Sequence, residues 1–303
     1  MKQIEITAND AGQRLDRFLK KYLYNAPLSG IYKIIRKDVK LNGKRPKEDV
    51  MLNEGDVLNL YIMDVELEKL SAKKKTSRAK KQFSIAYEDD NILVANKPFG
   101  LLVHGDKTEK KNTLANQVID YLIEEGKYNP RLERSFTPAP VHRLDRNTTG
   151  LVVFGKNANA LRQGVDNFSK FYKTICIGKI DKELRLTGYL VKDERTNKVR
   201  VSKVEKPNSK YIETIVRPLI ANDKYSLLEV ELVTGRSHQI RAHLASIGHP
   251  VYGDPKYGHG SAQLLHAAKL VMDNGTVITA KLPPEFRSKA EEIFGKENIN
   301  GIE

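Results

Sequence analysis

From about residue 66 to 81, within "ELEKLSAKKKTSRAKKQ", the chain shows no apolar periodicity and a dense cluster of Lys and Arg. A stretch without an apolar face cannot enter a core. The chain is therefore divided here, and residues 1–65 and 82–303 must each bury their own apolar surface. The stretch itself reads as a basic linker, solvated or touching phosphate.

The first unit predicts two helices and two strands. In "GQRLDRFLKKYLY", Leu15, Phe18, Leu19 and Tyr22 follow helical spacing, with Arg17, Lys20 and Lys21 between them on the solvent side. Pro27 breaks the pattern, and Ser29 is expected to cap a second helix with Ile31, Ile34 and Ile35 inward and Lys33, Arg36 and Lys37 outward. Short strands follow around "VKLNG" and "VLNLYI", with Asn42-Gly43 and Gly55-Asp56 as turns. The outcome is a compact unit with a basic face.

After residue 82 strands interleave with helices. "FSIAYEDDNILVANK" predicts two strands around an acidic turn, and "NTLANQVIDYLIEEG" a helix with Leu114, Val118 and Leu122 inward, ended by Gly126. "LVVFGK" and "YKTICIGKI" read as short buried strands, which makes Cys176 a small apolar residue. "YSLLEVELVTG" reads as a strand with Leu228, Val230 and Leu232 on one face and Ser226, Glu229 and Glu231 on a wet one. "SHQIRAHLASIG" reads as a helix with Ile240, Leu244 and Ile247 inward and Gly248 as its stop. Without regular alternation of strand and helix, the larger unit is expected to be α+β with a mainly antiparallel, mixed sheet.

Charge says what such a chain meets. With 52 Lys plus Arg against 38 Asp plus Glu the formal charge is +14, which points to a polyanionic partner. No segment approaches the roughly 20 apolar residues needed to span a bilayer, and "MKQIEITAND" has no signal-peptide core, so a nucleic acid in the cytoplasm is expected rather than a membrane. One cysteine excludes Cys-rich zinc sites, His238 and His243 stand five apart on different sides of a helix, and there is no "HExxH", "GxxxxGK[ST]" or "GxGxxG" after a strand. Neither a metal nor an organic cofactor is expected.

Three segments place reactive side chains on loops between apolar strands, where scaffolds hold functional groups. In "NKPFGLLVHG" (96–105), Pro98 and Gly100 set a turn flanked by Lys97 and His104. In "VHRLDRNTTGLVVFGK" (141–156), Asp145 stands among His142, Arg143 and Arg146. In "VTGRSHQIRAHL" (233–244), Arg236 stands at the helix entrance. An acid set among arginines is favoured as its anion, which suits a nucleophile or base and not a general acid. Glycoside hydrolysis by such a carboxylate needs a second carboxyl, and none accompanies Asp145. Isomerisation of a nucleoside has no such requirement.

At these residues the chain resembles the RluA family of RNA pseudouridine synthases. "HRLDRNTTGLVVF" is similar to that family's "HRLDxxTSGLL", "NKPFGLLVHG" to its "KPaGllvh" segment, "FYKTICIGKI" to its Tyr-bearing strand, and "TGRSHQIRAHLASIGHPVYGDPKYG" to its "TGRTHQIRvHl...GhPivGD..YG". The resemblance runs from about residue 84 to 283. "RLDRFL" and "VKLNG" are similar to the alpha-L RNA-binding module of a small-subunit ribosomal protein, departing from it at Ser29-Gly30 and Asp38.

The resemblance implies three catalytic residues. Asp145 is the essential aspartate, attacking the ribose anomeric carbon or acting as base toward a glycal. Arg236 is the arginine that pairs with it. Tyr172 stacks on the target base and moves a proton off carbon 5. Arg143 fills the gap left by the flipped nucleotide, and His142, Thr149, Lys97, His238 and Gln239 are expected to bind substrate. Lys33, Arg36, Lys37, Lys40, Lys44 and Arg45 are expected to hold RNA on the first unit. The implied partner is large-subunit ribosomal RNA, met by a monomer. A transfer RNA target, or a ribosome-assembly protein with dispensable catalysis, is the competing reading.

Overall fold

The computed structural model describes residues 1–71, 79–130, 133, 135–163, 168–193 and 198–302. The first unit runs β1 (Lys2–Glu5), α1 (Leu15–Tyr22), α2 (Leu28–Asp38), β2 (Val39–Leu41), β3 (Val57–Leu60) and α3 (Asp64–Ser71). Its strands form an antiparallel sheet in the order β1-β3-β2. Leu15, Phe18, Leu19 and Tyr22 of α1 all face the core, as their spacing demands. Asn42 and Gly43 take positive φ, 49° and 79°, in the tight turn after β2.

Two expectations fail in this unit. Pro27, not Ser29, caps α2: its extended backbone feeds the helix directly, and Ser29 lies exposed in the first turn. The linker also starts later than expected. Leu67 and Leu70, three apart on one face of α3, pack against the first core and extend that unit to Ser71. Residues 72–78 of the expected linker lie outside the described residues. The loop before α1 docks on the larger unit, where Asn9 donates to Glu133 and accepts from the Ala158 N–H, both at 3.0 Å, and Arg162 donates to the Ala11 carbonyl at 2.6 Å.

The larger unit runs β4 (Ser84–Glu88), β5 (Ile92–Lys97), α4 (Leu114–Glu124), β6 (Ala139–Pro140), β7 (Thr149–Gly155), α5 (Ala158–Gln163), β8 (Phe168–Ile177), β9 (Leu184–Asp193), β10 (Lys198–Ser202), β11 (Lys210–Ala221), β12 (Tyr225–Leu232), α6 (Gln239–Ser246), β13 (Leu265–Met272), β14 (Val277–Thr279), α7 (Pro284–Phe294) and α8 (Lys296–Ile299). The main sheet is ordered β10-β9-β11-β12-β8-β13-β7-β5-β4, with β14 on β13 and β6 on β7. Among the described strands only β13 and β7 pair in parallel, and only over two residue pairs, so the α+β, mainly antiparallel expectation holds.

That short pairing is a seam between two halves. Gly150 sits in it with φ 107°, and a Cβ there would lie 2.2 Å from the Ala267 carbonyl oxygen. Only glycine allows so close a crossing. On one face α4, capped by Thr113, packs Leu114, Val118 and Leu122 against the sheet.

The expected wet face of β12 stays partly wet at Glu229 and Glu231, which pair with Lys269 and Arg217, but it is covered at the end nearer Tyr225. Leu227 packs against Phe286 and Ala290 of α7, while Ser226 shares the face of Leu228 and is buried, donating to the Gly178 carbonyl at 2.9 Å. Ile247 also departs from expectation: α6 ends at Ser246, and Ile247 turns outward ahead of Gly248. Cys176 is fully buried, and burial pushes its thiol up to about 11.

Candidate active site

A pocket of about 450 Å³ opens at the seam. Its walls come from the 141–148 loop before β7, Lys170 and Tyr172 on β8, the 232–238 turn after β12, the first residues of α6, and Leu265 of β13. Asp145 stands on the loop, partly buried and facing the pocket.

The arginine on Asp145 is Arg241, not Arg236. Arg241 Nη1 donates to Asp145 Oδ2 at 2.7 Å, while its Nε and Nη2 donate to Asp254 at 2.6 and 2.8 Å. Arg236 precedes α6 on an exposed turn. Its side chain lines the pocket wall without a partner among the described residues. Arg241 belongs to the inward stripe of α6, three residues before Leu244, and is 3% exposed. Burial alone would lower its basicity, but Asp254 and Asp145 outweigh that and raise it.

His238 faces the same carboxylate, with Nε2 3.7 Å from Asp145 Oδ1 and Nδ1 3.0 Å from the Tyr257 hydroxyl. Burial lowers its pKa against the opposing charge of Asp145, which favours neutral imidazole. Tyr257 in turn lies under Arg241, whose Cζ is 5.2 Å from the ring centroid. Tyr172 is buried on β8, and its ring forms part of the pocket. Burial, with Asp145 nearby, raises its pKa, so the phenol stays neutral. Arg143 is exposed on the rim with no partner among the described residues.

Four residues expected on substrate spend polar groups on the scaffold, though His142 and Gln239 also line the pocket. Gln239 is buried with its amide spent inside the turn: it accepts from the Thr234 hydroxyl and the Arg236 N–H, and donates to the Glu213 carbonyl and Thr214. Thr149 bonds His266 Nδ1 at 2.8 Å, away from the pocket, and its neighbour Thr148 lines the wall. His142 accepts the Val153 N–H at Nε2, 3.2 Å away, and burial pushes its ring down to about 3. Its flank still borders the pocket.

Lys97, 1% exposed, lies outside the pocket and braces the loop. Its Nζ donates to the carbonyls of Pro98, Leu101 and Arg146 at 3.0, 2.8 and 2.9 Å. Three acceptors call for an ammonium. Burial pulls that group down to about 7, with the Asp145 charge opposing. Lys97→Met should therefore slow turnover roughly 10- to 100-fold with RNA affinity held within a few-fold. Wild-type turnover should also fall as pH rises past 7 and the third donor is lost. Single-turnover rates across pH check both, and a rate unchanged by the substitution would show that the loop holds without this brace.

Sequence reasoning missed Arg241, Asp254, Thr148, Lys170 and Tyr257. The signal for Arg241 was present, since a lone cation on the apolar stripe of a helix requires a buried anion. Among the described residues no group of three or more His, Cys, Asp or Glu could hold a metal, and no helix is long and apolar enough to cross a membrane.

The model of the RNA pseudouridylate synthase family matches residues 91–246. The ribosomal large subunit pseudouridine synthase C of Vibrio cholerae serotype O1 is 34% identical over 266 residues, 84% of this chain and 80% of that protein. The protein of the same name in Escherichia coli K12 is 34% identical over 273 residues, 85% of this chain and 80% of its own length. The solved structure of human RNA pseudouridylate synthase domain containing 4 is similar in fold, with a TM-score of 0.57 at 20% identity over 69% of this chain and 92% of that one. Because the family match runs from β5 to the end of α6, across Asp145, Tyr172 and Arg241, the chain belongs to the RNA pseudouridylate synthase family and is an RNA pseudouridine synthase.

Proposed function

We propose that this enzyme isomerises uridines in large-subunit ribosomal RNA, with Asp145 as the reagent. The observation that carries the assignment is the Asp145 carboxylate, open to the pocket on one side and held at 2.7 Å by a buried arginine on the other. Pure RNA binding has no use for an anion in a basic cleft. The ribosomal target comes from the Vibrio cholerae and Escherichia coli relatives, both named for the ribosomal large subunit.

The chemistry follows from the placement. A uridine must leave its stack to enter, at a cost of about a few kcal/mol, and the unpaired guanidinium of Arg143 at the rim is placed to occupy the gap. Tyr172 offers the extruded base a π-face. Its neutral phenol is a poor acceptor for the carbon 5 proton, so stacking is its part, and the Asp145 carboxylate, open to the pocket, is the base that can take that proton once C1′–C5 has formed. Asp145 acts at the anomeric carbon or as base toward a glycal. In either route the C1′–N1 bond breaks, uracil turns within the pocket, and C1′–C5 forms.

Mapping pseudouridines across total RNA, with and without this gene, tests the target: loss of a large-subunit site supports it, and loss only in transfer RNA overturns it. On this reading the protein works in the cytoplasm as a monomer.

On the first unit Lys33, Arg36, Lys37, Lys40, Lys44 and Arg45 are all exposed along α2, β2 and the following turn, a contiguous basic face. Replacing Lys33, Arg36, Lys37 and Lys40 by Gln should weaken RNA binding and flatten its salt dependence by up to about 0.7–0.9 in slope per cation removed. Turnover of bound RNA should stay nearly constant. Titration at several salt concentrations checks this, and an unchanged slope would place the RNA elsewhere.

A further inference from the structure

A second pocket of about 350 Å³ lies across the Asp145 loop from the first. Asp145 lines one and Arg146 the other, and the two share no lining residue. Its walls include Phe99, Arg146, Gln82, Asn112 and Glu109. The Phe99 turn is fastened to the same loop, because the Gly100 N–H donates to the Arg146 carbonyl at 3.1 Å and Lys97 reaches that same oxygen.

The polar groups here are half spent. Gln117 Nε2 donates to Gln82 Oε1 at 2.9 Å and to Asn112 Oδ1 at 2.8 Å. Both carbonyl ends are thereby occupied, and the amide nitrogens of Gln82 and Asn112 have no partner among the described residues. Glu109 Oε1 accepts the N–H groups of Lys111 and Asn112 at 2.7 and 2.9 Å, which with Arg146 nearby favours the carboxylate as its anion. Phe99 is 53% exposed, a large ring on a tight turn with no core to join.

We propose that this pocket binds an unpaired guanine of the substrate RNA, stacked on Phe99 and read by Glu109, Gln82 and Asn112. The inference rests on the reading of this enzyme as acting on RNA through the Asp145 pocket. An exposed aromatic ring beside a guanidinium is the usual platform for a splayed base. Glu109 and Arg146 offset each other's charge in the wall, so the pocket suits an uncharged base edge that carries N–H groups better than a phosphate. Guanine presents adjacent N1–H and N2–H donors to a carboxylate, and O6 and N7 acceptors to amide N–H groups. Uracil offers a single N–H, and adenine has no carbonyl oxygen. One nucleotide flanking the flipped uridine would then be held across the loop from it, which fixes the register of the target.

The test uses full-length Asp145→Asn protein, so that binding is read without turnover. Short single-stranded RNAs carrying one guanosine should bind about 5- to 10-fold tighter than the same oligomers with inosine, which lacks the N2 amino group. Glu109→Gln should erase that preference. Phe99→Ala should weaken the guanosine oligomer about 10-fold, and Phe99→Tyr should restore it. In the active enzyme, on transcribed large-subunit ribosomal RNA, Phe99→Ala should raise KM by a similar factor with kcat within twofold. Equal binding of guanosine and inosine oligomers, or recovery with Phe99→Leu as complete as with Phe99→Tyr, would overturn the proposal. A loss of kcat at constant KM would also overturn it, since Phe99 would then only shape the Asp145 loop. Failure of the wild type to modify that ribosomal RNA would sink the target assignment instead, and the oligomer comparison would still decide the guanine subsite.

Discussion

Asp145→Asn should reduce pseudouridine formation by about 10³-fold or more while RNA affinity stays within a few-fold. The amide keeps the shape of the carboxylate and can still accept one hydrogen bond from Arg241, so the loop and the pocket persist. It can neither attack an anomeric carbon nor take a proton. On the proposed function, binding rests on other groups: the exposed cations of the first unit, Arg143 at the rim and the ring of Tyr172. Primer-extension mapping of pseudouridine on transcribed RNA, paired with equilibrium binding of the same RNA, separates the two quantities. Turnover within tenfold of wild type would remove Asp145 from the reagent role, and a matching collapse of affinity would show a folding defect.

The second large effect concerns Asp254. Its carboxylate is fully buried and takes both Nε and Nη2 of Arg241, together with the N–H groups of Lys256 and Tyr257 at 2.8 and 3.1 Å. Asp254→Ala leaves the Arg241 guanidinium buried with Asp145 as its remaining anion. Removing one partner of such a pair costs about 3–5 kcal/mol, a fall in Tm on the order of 10 °C. Asp254→Asn keeps the volume and gives a cleaner reading of position: turnover should drop about 10- to 100-fold with KM nearly unchanged, because Arg241 no longer fixes the Asp145 oxygens.

The same residue predicts a pH dependence. Burial by itself would raise the Asp254 carboxyl, but the Arg241 hydrogen bonds and charge outweigh it and hold the group below its ordinary value. A folded-state pKa below the unfolded one gives stability that is complete above the unfolded value and lost as pH falls through the folded one. Thermal melts of wild type and Asp254→Asn should therefore converge below about pH 4. A constant gap down to pH 2 would argue against an ionised Asp254.

Local pattern carried much of this. The α1 and α4 stripes, the Asn42-Gly43 turn and the buried strands of the larger unit follow from periodicity and turn chemistry, which act over a few residues. Asp145 and Tyr172 followed from motif context. What failed was decided at long range. Arg236 and Arg241 lie five apart in one segment, and only a buried anion at Asp254, brought in by the loop before β13, selects the second. Thr148 and Thr149 are equivalent in sequence until β7 starts at Thr149, and strand alternation then sends one hydroxyl to His266 and the other to the pocket. Lys97 resembles a substrate cation until its three carbonyl partners come from two different loops. The face of β12 taken as wet is dry at Leu227 because α7, encoded more than fifty residues later, supplies Phe286, while Glu229 and Glu231 on it stay partly exposed.

Gly150 carries a consequence for the substrate. Its backbone passes so near Ala267 that the two halves of the sheet are bolted together directly behind the catalytic loop. Any larger residue at 150 would push β7 away from β13 and shift the Asp145 loop that leads into it. On the proposed function, extrusion of the uridine is then eased by the RNA itself, at a bulge, a loop or a weak pair.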